Sequence, residues 1–285
     1  MSEPIDPAGT DSYVDVDGIS LHYHKLDRVK GAGIPVIFTH GGGPGSTGWN
    51  NYLYNAAAFA ERYVCYFYEA PLYGQSAKVV TDGPSFSWHA AKFLGFMDAL
   101  GIQKAHVVNQ SFGSGIAIKA ATLAPERFDH LVLTGGQPAF KGIVEPMRSG
   151  RSAVQNFYFG EGGPTKEKLR WIIENMEFFD KSKVTDINVD ARFAQAQDPK
   201  VLEVLAKPNA RGVPESLIGE FSKVKSPSLC VHGLHDWFGG TDMPMLMVNQ
   251  FANARLYVMP HGAHHVQTEC ADEYNSVVLN FLPKP

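Results

Sequence analysis

Val107-Val108-Asn109-Gln110-Ser111-Phe112-Gly113-Ser114-Gly115 runs from apolar residues into a serine, with a glycine two residues further on. The stretch reads as a strand, a sharp turn and a helix, with the serine hydroxyl lifted at the apex. It is one residue short of Gly-x-Ser-x-Gly, because Asn109 stands where the first glycine is expected. That glycine relieves crowding where the emerging helix passes back over the strand. The stretch therefore needs partners elsewhere in the chain before it decides anything.

Outward from Ser111, apolar runs and helical spacings alternate. Residues 13–16 and 19–23 alternate apolar with polar about Asp17-Gly18, which predicts an antiparallel hairpin. Strands are expected at 34–39, 64–69, 105–109 and 131–134, with helices near 51–62, 88–100 and 112–123. From about Gln137 to Glu220 only helix-like segments occur, including 165–178 and 185–196, broken by Gly, Pro and Asp-Pro turns. Strands return at 229–232 and 255–259, and helices at 243–251 and 271–281. Strand–helix alternation implies a mostly parallel sheet covered on both faces, here with an antiparallel start. The expected organisation is a core of residues 1–136 and 221–285, with a helical cap of residues 137–220 inserted after the sixth strand.

Composition sets bounds on this α/β reading. The 285 residues are 44% hydrophobic and 12% aromatic, enough to bury a large core and incompatible with disordered or fibrous classes. A formal net charge of -4, without a long basic run, argues against a nucleic-acid or anionic-membrane partner. No window approaches the ~20 apolar residues of a spanning helix, and residues 1–12 carry no apolar leader, so the expected location is the cytoplasm. Cys65, Cys230 and Cys270 are odd in number and far apart, and are read as structural thiols. A homo-oligomer is compatible with all of this.

Ligands of such sheets bind beyond the carboxyl ends of the strands, which directs attention to residues just after apolar runs. One such loop holds Ser111, another holds Asp236 in Gly233-Leu234-His235-Asp236, and a third holds His261, His264 and His265. Serine, aspartate, histidine is the chain order in which this architecture builds a catalytic triad. A serine hydroxyl is a weak nucleophile until an imidazole takes its proton, and a carboxylate fixes the imidazole's tautomer and stabilises its cation. The glycine loop His40-Gly41-Gly42-Gly43-Pro44-Gly45 lets backbone N–H groups approach a substrate oxygen, so Gly42 and Phe112 can form an oxyanion hole. That loop lacks the Lys-Ser/Thr ending of a phosphate loop and the spacing of a dinucleotide fingerprint. His40 is read as a structural hydrogen-bonder. A metal site drawn from His232, His235 and His261 is the alternative to the triad, and no metal is expected.

Taken together, these residues resemble the α/β-hydrolase superfamily, and within it the meta-cleavage product hydrolases, which break a carbon–carbon bond in ring-opened aromatic compounds. The likeness rests on the His40–Gly45 loop followed by Gly48-Trp49-Asn50-Asn51-Tyr52, on Met97-Asp98-Ala99-Leu100-Gly101-Ile102, and on the Ser111 elbow. It continues through Gly233-Leu234-His235-Asp236 and through Gly262-Ala263-His264 followed by Glu269 and Ala271-Asp272-Glu273-Tyr274-Asn275. The resemblance selects His264 as the base of a triad with Ser111 and Asp236. It implies that Gly43, Asn51, Arg192, Phe193 and His265 line the substrate site, with Asn51 and Arg192 at the 2-hydroxy-6-oxo-dienoate end. A planar arginine fork suits a carboxylate in an apolar cleft.

The implied partner is a small carboxylate with an aromatic or alkyl end, and no metal or organic cofactor is required. Asn109 and Gln110 replace the family's Gly-Asn before the nucleophile, His265 replaces an aromatic residue, and Leu72 replaces a glycine in a Pro-Gly-Phe-Gly turn. These departures predict a shifted seat for the elbow and altered polarity beside His264. An esterase, lactonase or prolyl-type aminopeptidase on the same triad, and a non-catalytic small-molecule receptor, are the competing readings.

Overall fold

The computed structural model describes residues 4–30, 33–135, 150–205, 207 and 209–285. Residues 137–149 of the expected cap lie outside them. Eight strands form one sheet: β1 (Asp11–Val16), β2 (Ile19–Leu26), β3 (Val36–Thr39), β4 (Cys65–Tyr68), β5 (Ala105–Gln110), β6 (Phe128–Thr134), β7 (Ser228–Gly233) and β8 (Ala254–Met259). Their order is β1-β2-β4-β3-β5-β6-β7-β8. The β1/β2 hairpin turns at Asp17-Gly18, both at positive φ, and β2 is antiparallel to β4. Every later pairing is parallel. All residues of β3, β5 and β7 are buried, as strands covered on both faces must be.

The helices are α1 (Gly48–Asn51), α2 (Ala56–Ala60), α3 (Ser85–Ala99), α4 (Phe112–Leu123), α5 (Gly150–Tyr158), α6 (Lys166–Ile172), α7 (Asp186–Ala196), α8 (Pro199–Leu205), α9 (Asp242–Gln250), α10 (Val266–Glu269) and α11 (Ala271–Phe281). One face of the sheet packs a core that includes Phe93, Phe96, Ile116 and Leu131. The other packs Phe38, Tyr52, Phe59, Phe67 and Tyr274. The α5–α8 region builds a separate apolar cluster from Val154, Tyr158, Leu169, Ile172, Met176 and Val189. No helix among the described residues is long and apolar enough to cross a membrane.

Two expected helices are interrupted. The segment read as one helix over 51–62 breaks between α1 and α2. There Tyr52 buries its ring with its hydroxyl facing Thr39 O and Val108 O, and Asn55 Nδ2 donates to Gln267 O and Asn275 Oδ1. The helix expected over 165–178 is α-helical only to Ile172, then widens into a π turn over Ile173–Glu177. Such turns re-aim the side chains that follow; here the turn ends on a buried glutamate.

Candidate active site

Ser111 sits between β5 and α4 at φ 48° and ψ −108°, a left-handed geometry costly for a residue with a Cβ. It is held by its own N–H, which donates to Thr134 O at 2.8 Å, and by its carbonyl, which accepts from Ser114 N. The helix that follows packs closely on α3 because residue 115 has no side chain. A Cβ on Gly115 would lie 2.2 Å from Phe86 Cε1. Asn109 is also explained. Its Oδ1 accepts from Thr39 Oγ1 at 2.7 Å, and its Nδ2 donates to Val107 O and Val132 O. The side chain that replaces the first glycine thus binds β5 to its neighbours β3 and β6, and the helix passes clear of it.

Asp236 follows β7. Its N–H donates to Gly233 O, and its Oδ1 accepts from Phe238 N at 2.7 Å, so the carboxylate is fixed by its own turn. His264 follows β8 and donates from Nδ1 to Asp236 Oδ2 and Oδ1 at 2.9 and 3.0 Å, which leaves Nε2 free to take a proton. Burial opposes ionisation of Asp236, but the charge of His264 and the hydrogen bonds outweigh it and hold its pKa below the ordinary value. Gln110, beside the serine, donates from Nε2 to His264 O at 3.3 Å, so the residue that replaces the family's asparagine ties the Ser111 and His264 loops together. No hydrogen bond joins Ser111 to His264 in this structure. Hydrolases commonly tighten that contact only when substrate binds.

The glycine loop is braced by polar side chains. His40 Nδ1 donates to Gly41 O and His40 Nε2 accepts from Ala70 N, while burial holds its pKa below the ordinary value; it is a strut of the loop. Asn51 Oδ1 accepts from Gly41 N at 2.9 Å and its Nδ2 donates to Asn50 Oδ1, so the amide expected at the substrate is engaged in shaping the loop. Gly42 O accepts from Tyr73 OH at 3.3 Å. Leu72, at the position where the family carries glycine, has φ 81° and turns Tyr73 toward that carbonyl. The N–H groups of Gly42 and Phe112 donate to no described residue, as an oxyanion hole requires.

Arg192, on α7, is buried against the loop. Its Nε and Nη2 donate to Pro44 O at 3.2 and 3.0 Å, and its Nη1 pairs with Glu177, the last residue of the π turn. Gly43 lies directly below: a Cβ there would be 2.8 Å from Arg192 Nη2 and 3.4 Å from Glu177 Oε1. Burial alone would raise the Glu177 pKa, but Arg192, then His265, hold it at about 2. His265 donates its N–H to Glu177 O and keeps Nε2 3.7 Å from Glu177 Oε2; burial leaves its imidazole with a pKa of about 3. Phe193, the next residue on α7, packs against the α5–α8 cluster.

Two groups, Glu177 and Arg211, were not read from the sequence, and Glu269 was read only as part of a motif. Glu177 could have been noticed as a lone acid within Met176-Glu177-Phe178-Phe179. Glu269 accepts from Phe179 N, Asp180 N and Ala263 N, binding the segment after the π turn to the His264 loop. Arg211 reaches Gly42 from a loop whose sequence carried no signal.

The sequence profile described as the alpha/beta hydrolase fold matches residues 34–269. A 2-hydroxy-6-oxo-6-phenylhexa-2,4-dienoate hydrolase of Burkholderia cepacia is 34% identical over 280 residues, covering 96% of each chain. A 2-hydroxy-6-oxononadienedioate/2-hydroxy-6-oxononatrienedioate hydrolase of Burkholderia vietnamiensis is 32% identical, again over 96% of each chain. Among solved structures, a meta-cleavage product hydrolase from Pseudomonas fluorescens superposes with a TM-score of 0.81 at 25% identity, covering 95% of this chain and 96% of that one. With a serine at a left-handed turn after β5, a buried aspartate–histidine pair after β7 and β8, and a family match across most of its length, this chain belongs to the α/β-hydrolase family.

Proposed function

We propose that the protein hydrolyses the carbon–carbon bond of a ring-opened aromatic 2-hydroxy-6-oxo-dienoate, with Ser111, His264 and Asp236 as the catalytic triad. The single observation behind this reading is the joint one: a buried His264–Asp236 pair beside the Ser111 elbow, in a chain whose full-length relatives are hydrolases of such dienoates.

The chemistry divides into two stages. His264 moves a proton so that the bound dienol becomes its keto form, which makes the bond between C5 and C6 breakable. Attack on the C6 carbonyl by Ser111, or by water that Ser111 and His264 activate, places negative charge on the carbonyl oxygen, where the N–H groups of Gly42 and Phe112 receive it. The C5–C6 bond then breaks. Net addition of water yields a carboxylic acid from C6 and a 2-hydroxy-dienoate from C1–C5. Gly43 and Arg192 form the wall that holds the dienoate carboxylate, with Asn51 fixing the loop behind it through Gly41 N–H. Arg192 brings N–H donors beyond those used on Pro44 and Glu177. Phe193 and His265 complete that wall.

Residues 137–220 are assigned as a cap over a core of 1–136 and 221–285. The separate α5–α8 cluster, and the descent of Glu177 and Arg192 from it onto the glycine loop, support this division. The assigned setting is the cytoplasm. An aminopeptidase on the same triad would need a free acid for a substrate amine; Glu177 is the candidate, and Arg192 already occupies it.

The test is loss of the visible absorbance of a panel of ring-fission dienoates. Ser111→Ala should lower kcat by about 10³- to 10⁶-fold, and His264→Ala comparably. Failure of the wild-type protein to bleach any dienoate in the panel would refute the carbon–carbon assignment, and much faster turnover of simple aryl esters would replace it with an esterase.

A further inference from the structure

We infer that Arg211 binds a second carboxylate, so that the preferred substrate ends in an acid on the far side of the cleaved bond. This rests on the carbon–carbon hydrolase reading above. Arg211 Nη1 donates to Gly42 O at 3.3 Å, and its guanidinium lies over the Phe112 ring at 4.8 Å from the centroid. The approach is close: a Cβ on Gly42 would come within 1.6 Å of Arg211 Nη1. Gly42 and Phe112 are the two residues whose N–H groups are assigned to the reacting oxygen, so Arg211 stands beside the carbon being cleaved.

The two arginines of the site differ in what faces them. Arg192 is buried and paired with Glu177. Arg211 meets, among the described residues, no carboxylate. Phe112 is itself surrounded by Tyr73, Phe86 and His89, at ring distances of 6.2, 5.9 and 4.9 Å. A guanidinium stacked on such a surface presents its remaining N–H groups edge-on, the geometry that receives a carboxylate. Its backbone is fixed: Arg211 O accepts from Ser85 Oγ at 2.6 Å, Val213 N donates to Gly83 O and Ser85 N donates to Val213 O. Between them Gly212 has φ 96°, and a Cβ there would press on Gly83 O at 2.7 Å.

Position selects which substrate carboxylate this is. The C1 carboxylate is five bonds from C6 and belongs to the Arg192 wall. In a 2-hydroxy-6-oxononadienedioate the C9 carboxylate is three bonds from C6, at most about 4 Å with carbon–carbon bonds of about 1.5 Å. Arg211 touches the Gly42 carbonyl at 3.3 Å and lies over the Phe112 ring, so a carboxylate on so short an arm from C6 is the one it can meet. A phenyl group on C6 would place an uncharged ring against the guanidinium and leave its donors unmet.

The experiment measures kcat and KM for 2-hydroxy-6-oxononadienedioate and 2-hydroxy-6-oxo-6-phenylhexa-2,4-dienoate with the wild-type protein, Arg211→Gln and Arg211→Lys. The wild type should favour the diacid. In Arg211→Gln the diacid-to-phenyl ratio of kcat/KM should fall about 10- to 100-fold, mainly through KM for the diacid, as loss of a charged hydrogen-bonded pair predicts. Arg211→Lys should keep part of the ratio, since it retains charge without the planar fork. Because the readout is a ratio on one preparation, partial misfolding cancels. A ratio unchanged within threefold in Arg211→Gln, or a wild type that prefers the phenyl substrate tenfold, would overturn the role of Arg211 while the carbon–carbon reading stands. Turnover of neither substrate would overturn both.

Discussion

Replacing Arg192 by methionine leaves Glu177 buried with no guanidinium to face it, and the cost can be worked from the structure. Glu177 is 2% exposed, and its carboxyl is held at about 2 against an ordinary value of 4.5. At about 1.4 kcal/mol per pH unit, that gap corresponds to about 3 kcal/mol. This falls within the roughly 3–5 kcal/mol expected when one partner of a buried pair is removed. The pKa is lower in the folded state, so the contribution is fully present above pH 4.5 and is lost as pH falls toward 2. In Arg192→Met burial dominates and the Glu177 pKa rises above its ordinary value. The deficit relative to wild type should therefore be largest at pH 7 and shrink as the pH is lowered toward 5. Glu177→Gln/Arg192→Met, which removes both charges, should recover at least half of the loss. Urea unfolding of the three proteins at pH 7 and pH 5, followed by circular dichroism, measures all of this. A loss under about 1 kcal/mol at pH 7, or one that does not shrink at pH 5, would refute the claim that Arg192 neutralises Glu177 in the folded protein.

Further substitutions probe the elbow, the loop and the base of the sheet. Asn109→Gly would restore the glycine of the motif but strip Thr39 Oγ1 of its acceptor inside the sheet; the urea midpoint should fall by the equivalent of about 1–3 kcal/mol, and an unchanged midpoint would show that those bonds contribute nothing. Gly45→Ala combines φ 67° with a Cβ 1.8 Å from Arg192 O, so it should lower Tm by several degrees and weaken dienoate binding together, and retention of both would contradict the close contact between α7 and the loop. Burial brings His106 to a pKa of about 4, below its ordinary 6.5; above pH 6.5 it is neutral in both states and costs nothing, and about 3 kcal/mol of stability should be lost as pH falls to 4. His106→Phe should flatten that part of the acid-unfolding curve, which repeated denaturation at stepped pH would reveal.

Most of the strand order in sequence was legible, because parallel strands buried on both faces leave apolar runs such as Val107-Val108 and Val36-Ile37-Phe38 that stand out without knowledge of their neighbours. The turn at Asp17-Gly18 and the elbow at Ser111 are equally local, each set by what a few consecutive residues can do at positive φ. Helix continuity was less legible. The break at Tyr52–Asn55 is imposed by partners far along the chain, Gln267 and Asn275, which no local periodicity records.

The same division runs through the site. Ser111, Asp236, His264 and the glycine loop could be picked out as candidates from the amino-acid sequence alone, since each follows a strand and strand ends converge on one edge of a parallel sheet. Only the tertiary structure decided what faces what. It set Asn109 against Thr39, Gln110 against the His264 loop, Glu177 against Arg192, and Arg211 over Gly42 and Phe112. The physical reason is range: backbone geometry and burial patterns are written in neighbouring residues, whereas the contacts among the glycine loop, Arg192 and Arg211 depend on packing between segments separated by many tens of residues.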